Sequence, residues 1–533
     1  MHNLKKKIKL ALIATLTIMT LTACGSDKGS DTSGEKDLGK HLDFACYKYS
    51  DSIDPTVNVN SSWCGVRYGI TEALFKFDEN VVAKPNLCDK VESSEDYKTW
   101  TLHIIDDLKF SNGNPVTPSA VVSSIERLYK ETDASQGGKG NSNPEGYLTY
   151  ESITANDEDG TVTIVCEKPT SNLPGILAYP YFAIVDTTVS DEQIIGTGPY
   201  KVDEDNVGVN MELSKNENYR MEVPYDTVNV LYIDDNSTKS MALQSGDVDL
   251  VENITAADAL ETLSKEPKNY NISTAAGVRT GNSYVNYKSE LGNETLRKAV
   301  MMTIDDTTLC DITVGGMYTE GFSVLPSSLS YNYDKLNDPY KYNKDEAVKM
   351  LDEANIVDTD GDGYRELDGK NIDINYVAYS SRNLNDFAQA IALQLEEIGI
   401  KTTVNIIDYD TALALQNAGE FDLITANSIT VGIGDPQDFL GNWYSKNSVN
   451  YGYYQNDEYD KLFEQLMVEL DTQKRVDIIT KLQQILIDDA ATIVHGYYNS
   501  RMFSRLDSVS QAEIETIDYY WLTTDILPVK DGE

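Results

Sequence analysis

An α/β fold follows from three features of this chain. Between residues 371 and 427 the apolar residues change period repeatedly, which reads as strand, helix, strand, helix, strand. Two further amphipathic helical patterns follow closer to the C-terminus. The length of 533 residues allows two to four domains, or a few lobes with large buried cores.

The elements can be justified in order. In 99–105, Trp100, Leu102 and Ile104 share one face, with Thr101 and His103 on the other, as in a half-buried strand. His103 is therefore expected at a surface or pairing position. The spacing predicts a strand over 372–379. A helix follows, in which Phe387, Ile391, Leu395 and Ile398 recur at three or four residues until Gly399 stops it. Val404 and Ile406 alternate in a strand at 400–407, a helix covers 411–417, and a strand returns at 421–426. This alternation is the pattern of a parallel sheet. Leu462, Phe463, Leu466 and Leu470 make one late helical stripe, and Val476, Ile479, Leu482 and Leu486 another. No internal repeat interrupts the body.

The N-terminus reads as an address rather than as fold. Lys5, Lys6, Lys7 and Lys9 precede an apolar stretch from Leu10 to Ala23, too short to span a bilayer. Leu21-Thr22-Ala23-Cys24 matches a bacterial lipoprotein cleavage box. Residues 1–23 are thus expected to be a signal peptide and Cys24 the lipidated residue. Residues 24–40, rich in Gly, Ser, Asp and Lys, are the expected tether. The predicted location is the extracytoplasmic face of the cell membrane, with the lipid as the only membrane contact. The charge balance agrees with this: 86 acidic against 44 basic residues give −42, which disfavours nucleic acid and leaves no basic face for anionic lipid.

Cys46, Cys64, Cys88, Cys166 and Cys310 show no CxxC spacing, which argues against a zinc site or a dense disulfide framework. Buried small-apolar roles suit them, and a bridge from Cys46 to Cys64 or Cys88 stays open. GxSxG, HExxH and P-loop patterns are absent, and Gly432-Ile433-Gly434 lacks the third glycine of a dinucleotide fingerprint. An enzyme is disfavoured. No cofactor is required, but Asp358, Asp360 and Asp362 occupy relative positions 1, 3 and 5 of a loop with Gly363 at 6. Tyr364 and Glu366 follow as oxygen donors. Position 12, where a calcium loop of the EF type needs Glu, is Gly369. A structural calcium loop and a plain solvated turn both fit.

Segments across most of the chain resemble the peptide and nickel class of ABC-importer solute-binding proteins. They include Ile53-Asp54-Pro55-Thr56, Lys84-Pro85-Asn86-Leu87 and the stretch from Leu108 to Thr117, with Phe110-Ser111-Asn112-Gly113 at its centre. Gly196-Thr197-Gly198-Pro199-Tyr200-Lys201, Leu243-Gln244-Ser245-Gly246-Asp247 and Arg297-Lys298-Ala299 with Ile304-Asp305 continue the likeness in order. The resemblance implies a clamp like that of periplasmic binding proteins, with three lobes. Lobe I would comprise 41–60, 196–276 and 494–533, lobe II 61–195, and lobe III 277–493. It implies a monomer that captures short peptides or peptide-like solutes and delivers them to the transmembrane subunits of an ABC permease. A nickel or nickel-chelate binder is the alternative within the same class. A surface hydrolase and a ligand-sensing receptor are the remaining readings.

The resemblance also names candidate cleft residues. Peptide binders of this class place an Asp, which pairs with the ligand's α-amino group, just before an acidic-Pro turn. Here the turn is Asp435-Pro436, the matching position falls at Gly432, and no acid lies between Asp422 and Asp435. The preceding Asn427-Ser428-Ile429-Thr430 resembles nickel-binding members more loosely. Asn427 and Thr430, the aromatic Tyr47, Tyr49 and Trp443, and His495 as a metal ligand are therefore the expected ligand contacts.

Overall fold

The computed structural model describes residues 40–189, 193–255 and 257–530. The expected signal peptide, Cys24 and nearly all of the tether lie outside the described residues. Within them no helix is long and apolar enough to cross a membrane.

One large sheet organises the chain. Its strands are β1 (His41–Cys46), β2 (Tyr200–Asn206), β3 (Asn210–Lys215), β4 (Thr227–Tyr232), β5 (Leu250–Glu252), β6 (Tyr270–Val285), β7 (Tyr318–Thr319), β8 (Asp373–Ala378), β9 (Lys401–Ile406), β10 (Leu423–Ile429) and β11 (Thr492–Arg505). They lie in the order β2-β3-β4-β1-β5-β11-β6-β10-β8-β9, with β7 paired to β11. β1 runs parallel to β4 and β5, and β8 runs parallel to β9 and β10. Two long strands join these parallel halves. The C-terminal end of β11 pairs with β5, its N-terminal end pairs with the second half of β6, and that half of β6 pairs in turn with β10. The 276/277 boundary drawn from the resemblance falls in the irregular stretch of β6 between Ala275 and Arg279. β11 also bulges: Gly281 faces Gly496 and Asn282 faces Val494, which leaves His495 unpaired.

Strands β8 and β10 are covered on both faces, and their buried residues are divided between two cores. Ile374, Tyr376 and Leu423 join one core with the helix Leu384–Glu396, whereas Val377 and Ile424 join another with the helices Asp457–Leu466 and Thr472–Asp488. The expected succession from 372 to 426 is thus observed as Asp373–Ala378, Leu384–Glu396, Lys401–Ile406, Tyr409–Ala418 and Leu423–Ile429, with parallel pairing. Gly399 ends the first of these helices at φ 79°, a conformation that costs a residue with a side chain.

A second sheet, ordered Cys88–Ser93, Thr99–Ile104, Thr161–Cys166, Tyr150–Asn156, packs on the helix Pro118–Thr132. Thr117 starts that helix by accepting a hydrogen bond from Ala120 N, and Pro118 fills its first position. Trp100, Leu102 and Ile104 are buried as expected, and His103 lies on the outer face, 3.1 Å from Glu92. Gly198 lets the chain re-enter the large sheet, because a Cβ there would sit 2.2 Å from Gly69 O. The five cysteines among the described residues are all buried and free.

Candidate functional site

A cavity of about 1190 Å³ opens where the parallel strands end. Tyr47 and Tyr49 follow β1, and Asp234 and Asp235 follow β4. Residues 379–382 follow β8, and 407–410 follow β9. Asn427 and Ser428 lie near the end of β10, and all of these line the cavity. Carboxyl ends of parallel strands share an edge, and the loops leaving them diverge to leave space for a ligand. Trp63, Tyr147 and Tyr179 also line it, and the C-terminal segment contributes Tyr519.

Rings form much of the wall. Tyr147 and Tyr179 stack at 4.8 Å, Tyr47 meets Tyr49 edge-on at 5.0 Å, and Tyr379 meets Tyr409 edge-on at 5.2 Å. Such surfaces offer apolar area with polar tips. Asp438 also faces the cavity and accepts a hydrogen bond from the Tyr147 hydroxyl at 3.3 Å. Enclosure by the cavity walls pushes its carboxyl up from the ordinary value.

The floor carries charge. Asp518, on the segment after β11, accepts from Arg67 Nη2 at 2.9 Å, Arg279 Nε at 3.0 Å and Arg382 Nη2 at 3.3 Å. All four residues are buried, with Arg67 at 0% exposure and Arg382 at 7%. Burial alone would raise the Asp518 carboxyl, but the three guanidiniums overcome it and hold the group far below the usual carboxylate range. Arg67 also lies over Trp521 at 4.3 Å and over Trp63 at 5.2 Å. Beside this cluster, Glu252 pairs with Lys239 at 3.3 Å and accepts from the Tyr49 hydroxyl at 2.8 Å. Arg279 Nη1 donates to the Asn427 carbonyl at 3.1 Å, which ties the floor to the end of β10.

Of the residues expected from the sequence, Tyr47, Tyr49 and Asn427 line this cavity, and so does Gly432. The other three, Thr430, Trp443 and His495, are not among the residues that line it. Thr430 is buried and donates to Val278 O at 2.8 Å, so its hydroxyl is used within the sheet. Trp443 is 2% exposed and packs behind Phe439 and against Tyr284; the short helix Gln437–Leu440 presents Phe439 to the cavity instead. His495 is fully buried, 2.8 Å from Ser283 Oγ and against the ring of Phe387. Burial pushes its imidazole down to about 3, so it is neutral, but it does not reach the cavity. Outside the residues that line the cavity, Asp358, Asp360 and Glu366 each bring a carboxylate oxygen within 4.8 Å of the others. Asp362 is outside that group and accepts from Tyr364 N and Asn371 Nδ2.

The sequence reading missed Arg67, Arg279, Arg382 and Asp518. A signal existed for Arg382: a charged residue four positions beyond the apolar strand 373–378 sits where the edge rule places ligands. The arginine in Gly277-Val278-Arg279 is a similar irregularity.

The profile of the bacterial extracellular solute-binding proteins, family 5 middle region, matches residues 82–451. The oligopeptide-binding protein AppA of Bacillus subtilis is 23% identical over 530 residues, covering 93% of this chain and 95% of the relative. The nickel-binding protein NikA of Staphylococcus aureus is 24% identical over 479 residues, covering 88% and 90%. Among solved structures, Staphylococcus aureus NikA in complex with Ni(L-His)2 aligns with a TM-score of 0.77 at 22% identity, over 92% of this chain and 100% of that one. Bacillus subtilis AppA in complex with a nonapeptide aligns at 0.76 and 20% identity, over 92% and 99%.

Proposed function

The chain belongs to the bacterial extracellular solute-binding proteins, family 5, and on that premise we propose that it captures short peptides or peptide-like solutes for an ABC importer. The observation that carries this reading is the cavity of about 1190 Å³ at the carboxyl edge of the sheet, with ring walls and a charged floor. It exceeds the usual range for a drug-sized ligand, roughly 300–1000 Å³, and suits an extended solute. Relatives that bind oligopeptides support the reading. Capture needs no covalent step: binding favours a closed clamp, which the permease then recognises.

A nickel chelate is the second reading. It is favoured by Gly432, which leaves the position expected for an amine-pairing acid without a carboxylate, and by nickel-binding relatives. No histidine or cysteine is among the described residues that line the cavity, so nickel would have to arrive with its own chelator. The proposal further includes a monomer without enzymatic activity, tethered through lipid on Cys24. The tether is supported by the sequence Leu21-Thr22-Ala23-Cys24.

Native mass spectrometry of the protein, purified gently without chelator, tests this. A spread of added masses that fragment as peptides is the expected result. One discrete added mass with a nickel isotope pattern would put the chelate first. No added mass, together with no thermal shift from a peptide library, would overturn both.

A further inference from the structure

We infer that Tyr318 is a positioning residue of the cleft: its single hydroxyl ties the turn after β8 to the end of β10 and fixes the spacing of two segments that line the cavity. That these segments meet a captured solute rests on the capture reading; that Tyr318 holds them does not.

β8 and β10 pair side by side at Tyr376 with Leu423 and at Val377 with Ile424, and no further pair of these two strands follows. Beyond that point they part, and residues 379–382 and 427–429 line the cavity. Where a ladder ends, the backbone groups beyond it need other partners. Tyr318 supplies one. Its hydroxyl donates to Arg382 O at 2.7 Å and accepts from Asn427 Nδ2 at 2.9 Å. The side chain is 2% exposed and is not among those that line the cavity, so it acts from behind the wall rather than on a solute. Burial pushes the phenol well above its ordinary value, so the proton it donates stays in place.

The hydroxyl is itself held in place. β7 pairs Tyr318 with Tyr498 of β11, and the ring meets Tyr498 edge-on at 5.3 Å and Phe387 edge-on at 4.8 Å. Gly281 of β6 leaves room for it: a Cβ there would lie 2.7 Å from Tyr318 Cε1 and 3.4 Å from the hydroxyl oxygen. What the hydroxyl holds would not rest there unaided. Arg382 and Asn383 are consecutive residues with φ of 49° and 59°, a conformation that residues with a side chain adopt at a cost and keep only where the surroundings impose it. Asn427 is also held at its carbonyl, by Arg279 Nη1 at 3.1 Å. One oxygen therefore sets both the strained turn and the Asn427 amide, and a shift in it moves the two segments together.

Tyr376 provides the control. It is fully buried on β8, its hydroxyl lies 2.7 Å from Ser283 Oγ, and it is not among the residues that line the cavity. Tyr376→Phe thus removes a buried hydroxyl whose partner belongs to neither segment. In hydrogen exchange followed by mass spectrometry on extensively dialysed protein, Tyr318→Phe should speed exchange in peptides covering 379–384 and 426–430 by about tenfold, the order expected when a buried hydrogen bond is lost, and Tyr376→Phe should leave them unchanged. Exchange unchanged in Tyr318→Phe, or raised equally by both variants, would overturn the positioning role. If Tyr318→Phe does not fold, Gly281→Ala displaces the ring with its hydroxyl present, and the same two peptides should respond. Native mass spectrometry then reads solute capture: Tyr318→Phe should retain several-fold less solute than the wild type, and Tyr376→Phe as much. Faster exchange with undiminished retention would overturn the part that Tyr318 plays in binding, whereas no retained solute in the wild type would remove the capture reading and leave the exchange result standing.

Discussion

His495 on β11 and Arg279 on β6 lie on adjacent antiparallel strands, and both are buried, at 0% and 3% exposure. Their surroundings differ. His495 is closed in by Ser283, whose hydroxyl also lies 2.7 Å from Tyr376, and its ring rests neutral on Phe387. Arg279 shares Asp518 with two other guanidiniums and opens onto the cavity. Burial of a polar side chain therefore says little about function by itself. What separates the two sites is charge and access: His495 is neutral and sealed from the cavity, although its Nδ1 has no hydrogen-bond partner among the described residues, whereas Arg279 is charged and lines the cavity.

The strongest way to break this contrast is to remove the shared carboxylate. Asp518→Asn leaves three buried guanidiniums without their counter-charge and should cost about 3–5 kcal/mol, the range for breaking a buried ion pair. Urea unfolding would show it, and a loss below ~1 kcal/mol would mean that solvent already neutralises the floor. His495→Ala should cost less, about 2–3 kcal/mol, from the void and the partners it strands. Solutes retained in native mass spectra should be unchanged; their loss would move His495 into the site and erase the distinction.

The pH dependence sharpens it further. An unfolded histidine takes its proton near 6.5, but folded His495 does so only at about 3. Between those values the unfolded state holds the extra proton, so stability falls as pH falls, by about 1.4 kcal/mol per unit. Asp518, whose folded value is depressed, adds its own loss only below its ordinary value of 3.8. Denaturant midpoints measured from pH 6.5 to 4.5 should decline in the wild type and flatten in His495→Gln; an equal decline in both would assign the acid sensitivity elsewhere. The smallest effect belongs to Tyr47→Phe, which keeps the ring against Tyr49 and loses one hydroxyl at the cavity. Its stability should stay within about 0.5 kcal/mol of wild type by thermal unfolding, and a larger drop would show that hydroxyl to be part of the frame.

The parts of the molecule that were legible in sequence are those with local periodicity. The succession from Asp373 to Ile429 shows because each element buries its own face, and helix ends such as Gly399 carry conformational signatures. The charged floor was not legible because its members meet across sequence separations of 451, 239 and 136 residues, and no short-range pattern records that. His495 was legible as a strand residue but not in its direction. Ile493 and Val494 fall on opposite faces, and the bulge then shifts the alternation before Tyr497 and Tyr498. Trp443 is placed for a related reason: one short turn separates it from Phe439, which lines the cavity while Trp443 packs behind it.

The placement of Asp518 also bears on the order in which the protein is made. Arg67, Arg279 and Arg382 are synthesised long before the carboxylate that gathers them, and β5 must wait for β11 before its open side is paired. Contacts of such range form slowly and late. A chain that stops short of residue 518 would carry the cleft's walls with three mutually repelling arginines beneath them, so the finished cleft is a property of the full-length chain.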